Sequence, residues 1–142
     1  MKYVVVYWTR YGNNKKIVDH LAEQLKAKGE VQVFKTDEAD PKALPEADAY
    51  IFSAAVEAFR VQANMKQFMK GLEGMEGKKY GIINTHCMKK KNWLKKMEKL
   101  LSKKKMVKAA ETHFHISGEG QEQGNGLAEG WQAQLAEFAG KL

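Results

Sequence analysis

The chain has 142 residues, 44% hydrophobic and 29% charged, with a formal net charge of +7. That composition excludes a disordered or low-complexity segment and suits one domain over residues 1–142 with a sizeable core. No apolar stretch reaches the ~20 residues that cross a bilayer, the first apolar run is too short for a secretory leader, and one cysteine, Cys87, excludes an internal disulfide. A soluble, cytoplasmic protein is therefore expected.

The run Tyr3-Val-Val-Val-Tyr7 reads as a strand buried on both faces, followed at once by Thr9-Arg-Tyr-Gly-Asn-Asn14 as a turn. Residues 15–28 then place Ile17, Val18, Leu21, Ala22 and Leu25 on one helical face. A strand that enters a helix through such a turn points unpaired N–H groups at whatever lies above the helix start, which is the physical basis of a phosphate site. Thr9, Asn13 and Asn14 add side-chain donors there, Gly12 permits close backbone approach, and Arg10 can neutralise an anion or lie in solvent.

Residues 31–35 predict a second, short strand, and residues 37–48, with Pro41 and Pro45, a surface loop. Residues 49–54 predict a third strand. Val61, Met65, Phe68, Met69 and Leu72 recur at helical spacing over residues 61–72, and Gly71 and Gly74 follow. Residues 80–84 read as a fourth buried strand. Asn92 reads as a helix N-cap, with Trp93, Leu94, Met97, Leu100 and Leu101 as the apolar stripe after it. Residues 106–116 predict a fifth strand and residues 118–126 a polar loop with four glycines. Leu127, Trp131, Leu135, Phe138, Ala139 and Leu142 form the face of a last helix.

Strands that alternate with helices and are themselves unbroken apolar runs argue for a parallel sheet covered on both faces. The expected class is therefore α/β, a three-layer α/β/α sandwich. In such sheets ligands bind beyond the carboxyl ends of the strands, where the winding reverses. The turns at those ends are residues 9–14, 54–60, 85–91 and 117–126.

Charge is distributed unevenly. Between Lys78 and Lys108 twelve lysines face a single acid, Glu98, which gives this third +11 and leaves −4 on the remainder. Such a block implies an anionic partner or ligand. The cluster has little aromatic interleaving and fits no nucleic-acid motif, so nucleic acid is the less favoured partner.

Element order and first turn together resemble the flavodoxin family. Thr9 and Gly12 match its phosphate loop, Ser/Thr-x-Thr-Gly-x-Thr, and Tyr11-Gly12-Asn13 is similar to a variant in the wider family. Asn14 stands where a hydroxyl residue is usual, and its amide can still donate. The resemblance implies a five-stranded parallel sheet in the order 2-1-3-4-5, of short-chain length, and FMN as cofactor. It implies that Thr9, Arg10, Tyr11, Gly12, Asn13 and Asn14 hold the phosphate. Ala54, Ala55, Val56 and Phe59 in the second turn, and Thr85, His86, Cys87 and Met88 in the third, would then flank the isoalloxazine ring. Two features depart from the pattern. Trp and Tyr, the usual stacking partners, are missing from those two turns, and the family is typically acidic.

The function implied is electron carriage between redox partners, rather than enzymatic turnover, with no acid–base residue required. An acidic redox protein would dock on Lys89, Lys90 and Lys91 at the ring's rim and Lys95, Lys96 and Lys99 along the helix. Two alternatives stand beside it: an FMN-dependent oxidoreductase acting on a small quinone- or porphyrin-like substrate, and a flavin-free module that binds an anionic partner through its lysine face. Cys87 reads as a small apolar filler or as a group that tunes the ring. His113 and His115 share a strand face near His86 and Cys87. These are acceptable zinc ligands, but their spacing matches no known finger, and no metal is expected.

Overall fold

The computed structural model describes residues 1–57, 60–87, 92–121 and 123–142, with Glu57, Arg60 and Val61 described by their backbone alone. Phe59, Met88, Lys89, Lys90 and Lys91, all assigned to the site or the docking face above, lie outside the described residues.

The elements run β1 (Lys2–Tyr7), α1 (Asn13–Lys26), β2 (Glu30–Lys35), β3 (Ala49–Glu57), β4 (Arg60–Val61), α2 (Ala63–Lys70), β5 (Lys79–His86), α3 (Leu94–Ser102), β6 (Val107–His115) and α4 (Trp131–Ala139). The sheet order is β2-β1-β3-β5-β6, with these five strands parallel. Counting parallel strands alone, this is the expected 2-1-3-4-5 arrangement. Val5 is level with Val33 on one side and Ile51 on the other, and Ile51 is level with Gly81.

Burial on both faces explains the unbroken apolar runs. Val4, Val6, Tyr50, Phe52 and Ile82 pack with Met65, Phe68 and Met69 of α2 and with Leu94, Met97 and Leu101 of α3. Tyr3, Val5, Tyr7, Ile51 and Ile83 face the other layer, with Ile17, Leu21 and Leu25 of α1 and Leu135 and Phe138 of α4. Fully burying one such Leu or Ile is worth about 1.5–3 kcal/mol, so these two layers dominate the stabilisation.

Five local expectations are corrected. The third strand does not stop at Ala54. It continues to Glu57 and turns back through β4, which pairs antiparallel so that Val56 faces Val61. Val61 is therefore a strand residue, and α2 starts only after Gln62, whose backbone is extended (φ −46°, ψ 131°). Helix α1 begins two residues earlier than its periodicity suggests, because Gly12 already makes the turn. Asn92 lies one residue before the cap position, which is Trp93, although its Oδ1 still accepts the N–H of Leu94 at 3.2 Å. Leu127 is outside α4 and bridges antiparallel to Ile116. Residues 37–48 cross the surface in turns, with the Tyr50 hydroxyl donating to the Pro45 carbonyl at 2.7 Å.

The winding reverses between β1 and β3, since α1 leads from β1 to one flank of the sheet and the rest of the chain fills the other. The carboxyl ends of β1, β3 and β5 therefore meet at the switch point.

Candidate functional site

Gly12 has φ 102° and ψ −5°, a left-handed conformation that side chains with a Cβ rarely adopt. It turns the chain from β1 into α1, and its N–H donates to Oγ1 of Thr9 at 2.9 Å. The first intrahelical bond is that of the Lys16 N–H to the Gly12 carbonyl, so the N–H groups of Asn13, Asn14 and Lys15 have no acceptor within the helix. No side chain caps this end, and no acid lies in the first turn. The helix start therefore keeps its partial positive charge directed into the space beyond β1.

The two asparagines act differently from the sequence expectation. Both are buried. The Asn13 amide donates to the Gln121 carbonyl at 3.1 Å, and its Oδ1 accepts the Gly126 N–H at 3.1 Å. The Asn14 amide donates to the Trp8 carbonyl at 2.8 Å, and its Oδ1 accepts the Thr85 hydroxyl at 3.1 Å. They tie the first turn to the last polar loop and to the end of β5. Donors toward an anion are thus mainly backbone N–H groups and the Thr9 hydroxyl. Gly124, at φ 71°, lies so near this turn that a Cβ there would come within 2.5 Å of the Tyr11 carbonyl oxygen.

A cleft opens here. The first turn lines it through Thr9, Arg10, Tyr11, Asn13 and Asn14, the second through Ala55 and Val56, and the third through Thr85, His86 and Cys87. Of the other expected site residues, Gly12 forms the turn beneath the cleft, and Ala54 is buried in the core. Three lining residues were not anticipated: Gln62, Ile116 and Gln121. Gln62 is buried, accepts the Ala55 N–H at its Oε1 and donates its own N–H to the Ala55 carbonyl, both at 3.0 Å. It holds the β3–β4 hairpin as part of the cleft wall, a role with no local sequence signal.

Asn84, fully buried, fastens two walls together. Its amide donates to the Ala54 carbonyl at 3.1 Å, and its Oδ1 accepts the Trp93 N–H at 3.0 Å. The start of α3 is thereby fixed to the strand ends that form the cleft. On α3, Lys95, Lys96 and Lys99 are exposed, and Lys96 lies 4.1 Å from the centre of the Trp93 ring. Among the described residues they have no acidic partner, whereas Lys108 bonds Glu111 at 2.7 Å and Glu98 at 3.3 Å, which raises its pKa.

Cys87 is exposed, and partial desolvation pushes its thiol pKa up. Adjacent strands do bring the histidines together. His86 Nε2 lies 2.8 Å from His113 Nδ1, and the His86 and His115 ring centres are 5.9 Å apart. His115 Nε2 lies 2.9 Å from the Cys87 carbonyl, and among the described residues no group of three or more His, Cys, Asp or Glu side chains is arranged to hold a metal ion. Among the same residues no helix is long and apolar enough to cross a membrane.

Comparison with known proteins agrees with this geometry. Residues 4–122 match the profile described as the flavodoxin domain. Among solved structures, a flavodoxin from Streptococcus pneumoniae TIGR4 superposes with a TM-score of 0.77 at 19% identity, covering 100% of this chain and 97% of that one. Oxidised flavodoxin 2 from Bacillus cereus gives 0.77 at 18%, covering 98% and 95%. Two-electron reduced flavodoxin from Megasphaera elsdenii gives 0.76 at 14%, covering 99% of both. No curated protein sequence matches the chain.

Proposed function

Because the chain belongs to the flavodoxin domain family, we propose that it binds FMN in the cleft and carries electrons between redox partners. The observation that carries this reading is the start of α1, uncapped and free of acid, opening onto a cleft walled by the turns after β1, β3 and β5. The phosphate would be held by the backbone N–H groups of Asn13, Asn14 and Lys15 with the Thr9 hydroxyl, the groups that suit a dianion at a helix N-terminus. The second and third turns would flank the ring through Ala55, Val56, Thr85, His86 and Cys87. When bound, FMN supplies the electron-accepting ring, and the protein contributes orientation, polarity and exclusion of water. Thr85, tied to Asn14, keeps the ring-flanking turn in register with the phosphate-holding turn.

The lysines of α3 support docking of an acidic redox protein beside the cleft, since Asn84 fixes the start of that helix to the cleft wall. A single thiol without a resolving partner suits a reducing cytoplasm. The decisive experiment is purification without added flavin, followed by a visible spectrum and mass spectrometry of the released cofactor. FMN at near one equivalent is expected, and rapid turnover of small quinones at the expense of exchange with a protein partner would favour the oxidoreductase instead. A colourless protein that takes up no FMN when it is supplied would overturn both.

A further inference from the structure

Strand β6 ends on His115, level with His86 at the end of β5. His115 and the residue after it hold successive carbonyls of the third turn. The Ile116 N–H donates to the His86 carbonyl at 2.7 Å. One residue further on, a side chain takes over: His115 Nε2 lies 2.9 Å from the Cys87 carbonyl. A carbonyl can only accept, so Nε2 carries the proton, and the neutral ring is the Nε2–H tautomer. The two ends of this bond lie on different hollows. Cys87 lines the cleft, whereas His115 borders a groove between β6 and the start of α4, with His113, Trp131 and Gln134. Whatever His115 does for a molecule in the cleft, it does through Cys87.

The end of β6 is itself tied back to the first turn. Ile116 pairs antiparallel with Leu127, the Ser117 N–H donates to the Gly126 carbonyl at 2.7 Å, and the Gly126 N–H donates to Asn13 Oδ1 at 3.1 Å. The phosphate-holding and ring-flanking turns are therefore joined by two routes. One is direct, through Asn14 and Thr85. The other runs through the end of β6, and the His115 ring is its last link. We propose that His115 is a positioning residue for the ring-flanking turn, an inference that rests on the reading of the cleft as an FMN site. It keeps the Cys87 carbonyl turned toward β6. A carbonyl oxygen is the negative end of the peptide dipole, and beside a ring that accepts electrons it would oppose the added charge. Held by His115, that dipole is kept from the ring, and the backbone of the turn is set before FMN arrives. No proton or electron passes through His115.

The test compares the parent with His115→Leu, which cannot donate, and His115→Gln, whose amide can. Cys87 is the chain's one cysteine, so cysteine isotope-labelled at its carbonyl carbon gives a single NMR signal that reports this hydrogen bond. FMN dissociation constant and reduction potential are measured at about pH 8, above the range where histidines ordinarily titrate. The parent's His115 ring should be the Nε2–H tautomer by NMR. His115→Leu should move the Cys87 carbonyl signal, weaken FMN binding several-fold and shift the potential to more negative values, and His115→Gln should return all three toward the parent. Parent-like affinity and potential in His115→Leu overturn the role, as does an equal loss in both variants. If His115→Leu does not fold, a parent ring protonated at Nδ1 in place of Nε2 overturns it, and so does a His115→Gln protein that keeps the carbonyl signal but not the potential. Failure of the parent to take up FMN is a different result: it removes the cofactor reading, and this role with it, while the carbonyl signal still reads the bond.

Discussion

The hydroxyl of Thr85 donates to Oδ1 of Asn14 at 3.1 Å, a buried bond between residues 71 apart in the chain. It joins the end of β5 to the first turn of α1, and the Asn14 amide extends the link to the Trp8 carbonyl at 2.8 Å. Asn14→Ala leaves both groups unpartnered, and a buried polar group left so costs about 1–3 kcal/mol. Urea unfolding of the flavin-free protein should show a loss of that order. A variant as stable as the parent would mean that water replaces the amide.

Gly12→Val tests the phosphate-holding turn. Space is not the constraint, because the atom nearest to an added Cβ is the Gly124 Cα at 3.9 Å. The constraint is φ 102°, which a β-branched residue adopts only with a strain of about 1–3 kcal/mol. The expected outcome is a folded protein that has lost FMN binding, read by circular dichroism and flavin fluorescence titration. Undiminished binding by Gly12→Val would place the phosphate elsewhere.

The parallel sheet was legible because strands buried on both faces leave unbroken runs such as Tyr3 to Tyr7, and because helix stripes such as Leu94, Met97 and Leu101 survive their lysine-rich surroundings, whereas the strand order followed from the family resemblance alone. The first turn was legible as well, through Gly12. What sequence periodicity could not show was tertiary. The β4 hairpin is two residues long, too short for any pattern, so Val61 read as helical. Gln62 and Gln121 enter the cleft wall through hydrogen bonds from the Ala55 N–H to the Gln62 Oε1 and from the Asn13 amide to the Gln121 carbonyl, which no neighbouring residue announces. The same holds for Asn13 and Asn14: the sequence supplies two amides near a helix start, and only packing decides that they bind the protein's own carbonyls.

Cys87 gives a chemical prediction. Desolvation disfavours its thiolate and raises its pKa, so at neutral pH it is held in the thiol form more than an ordinary cysteine is, and the thiolate is the reactive species. Alkylation by iodoacetamide should be slower at pH 7 than that of a small free thiol and should rise as pH increases through the raised pKa. Because Cys87 lines the cleft, FMN should also protect it. Rapid alkylation at pH 7 would point to an activated cysteine and a covalent role for it.

The lysine face yields the remaining prediction. Helix α3 starts where Asn84 accepts the Trp93 N–H at 3.0 Å, which carries Lys95, Lys96 and Lys99 away from the cleft wall along an exposed face. Lys89, Lys90 and Lys91 precede them in the sequence, directly after the third turn. Electron exchange requires close approach without tight binding, and clustered charge acts chiefly on the rate of encounter. Salt screens exposed charges beyond about 8 Å at physiological ionic strength. Replacing Lys89, Lys90 and Lys91 with Glu should therefore slow electron exchange with an acidic redox protein and flatten its dependence on salt, while FMN stays bound. Stopped-flow exchange across a salt series measures both effects. Parent-like rates at every salt concentration would mean that the lysines serve solubility alone. Binding of duplex DNA by the parent protein with a steep salt dependence would instead assign the face to nucleic acid, because release of counterions from phosphate produces that slope.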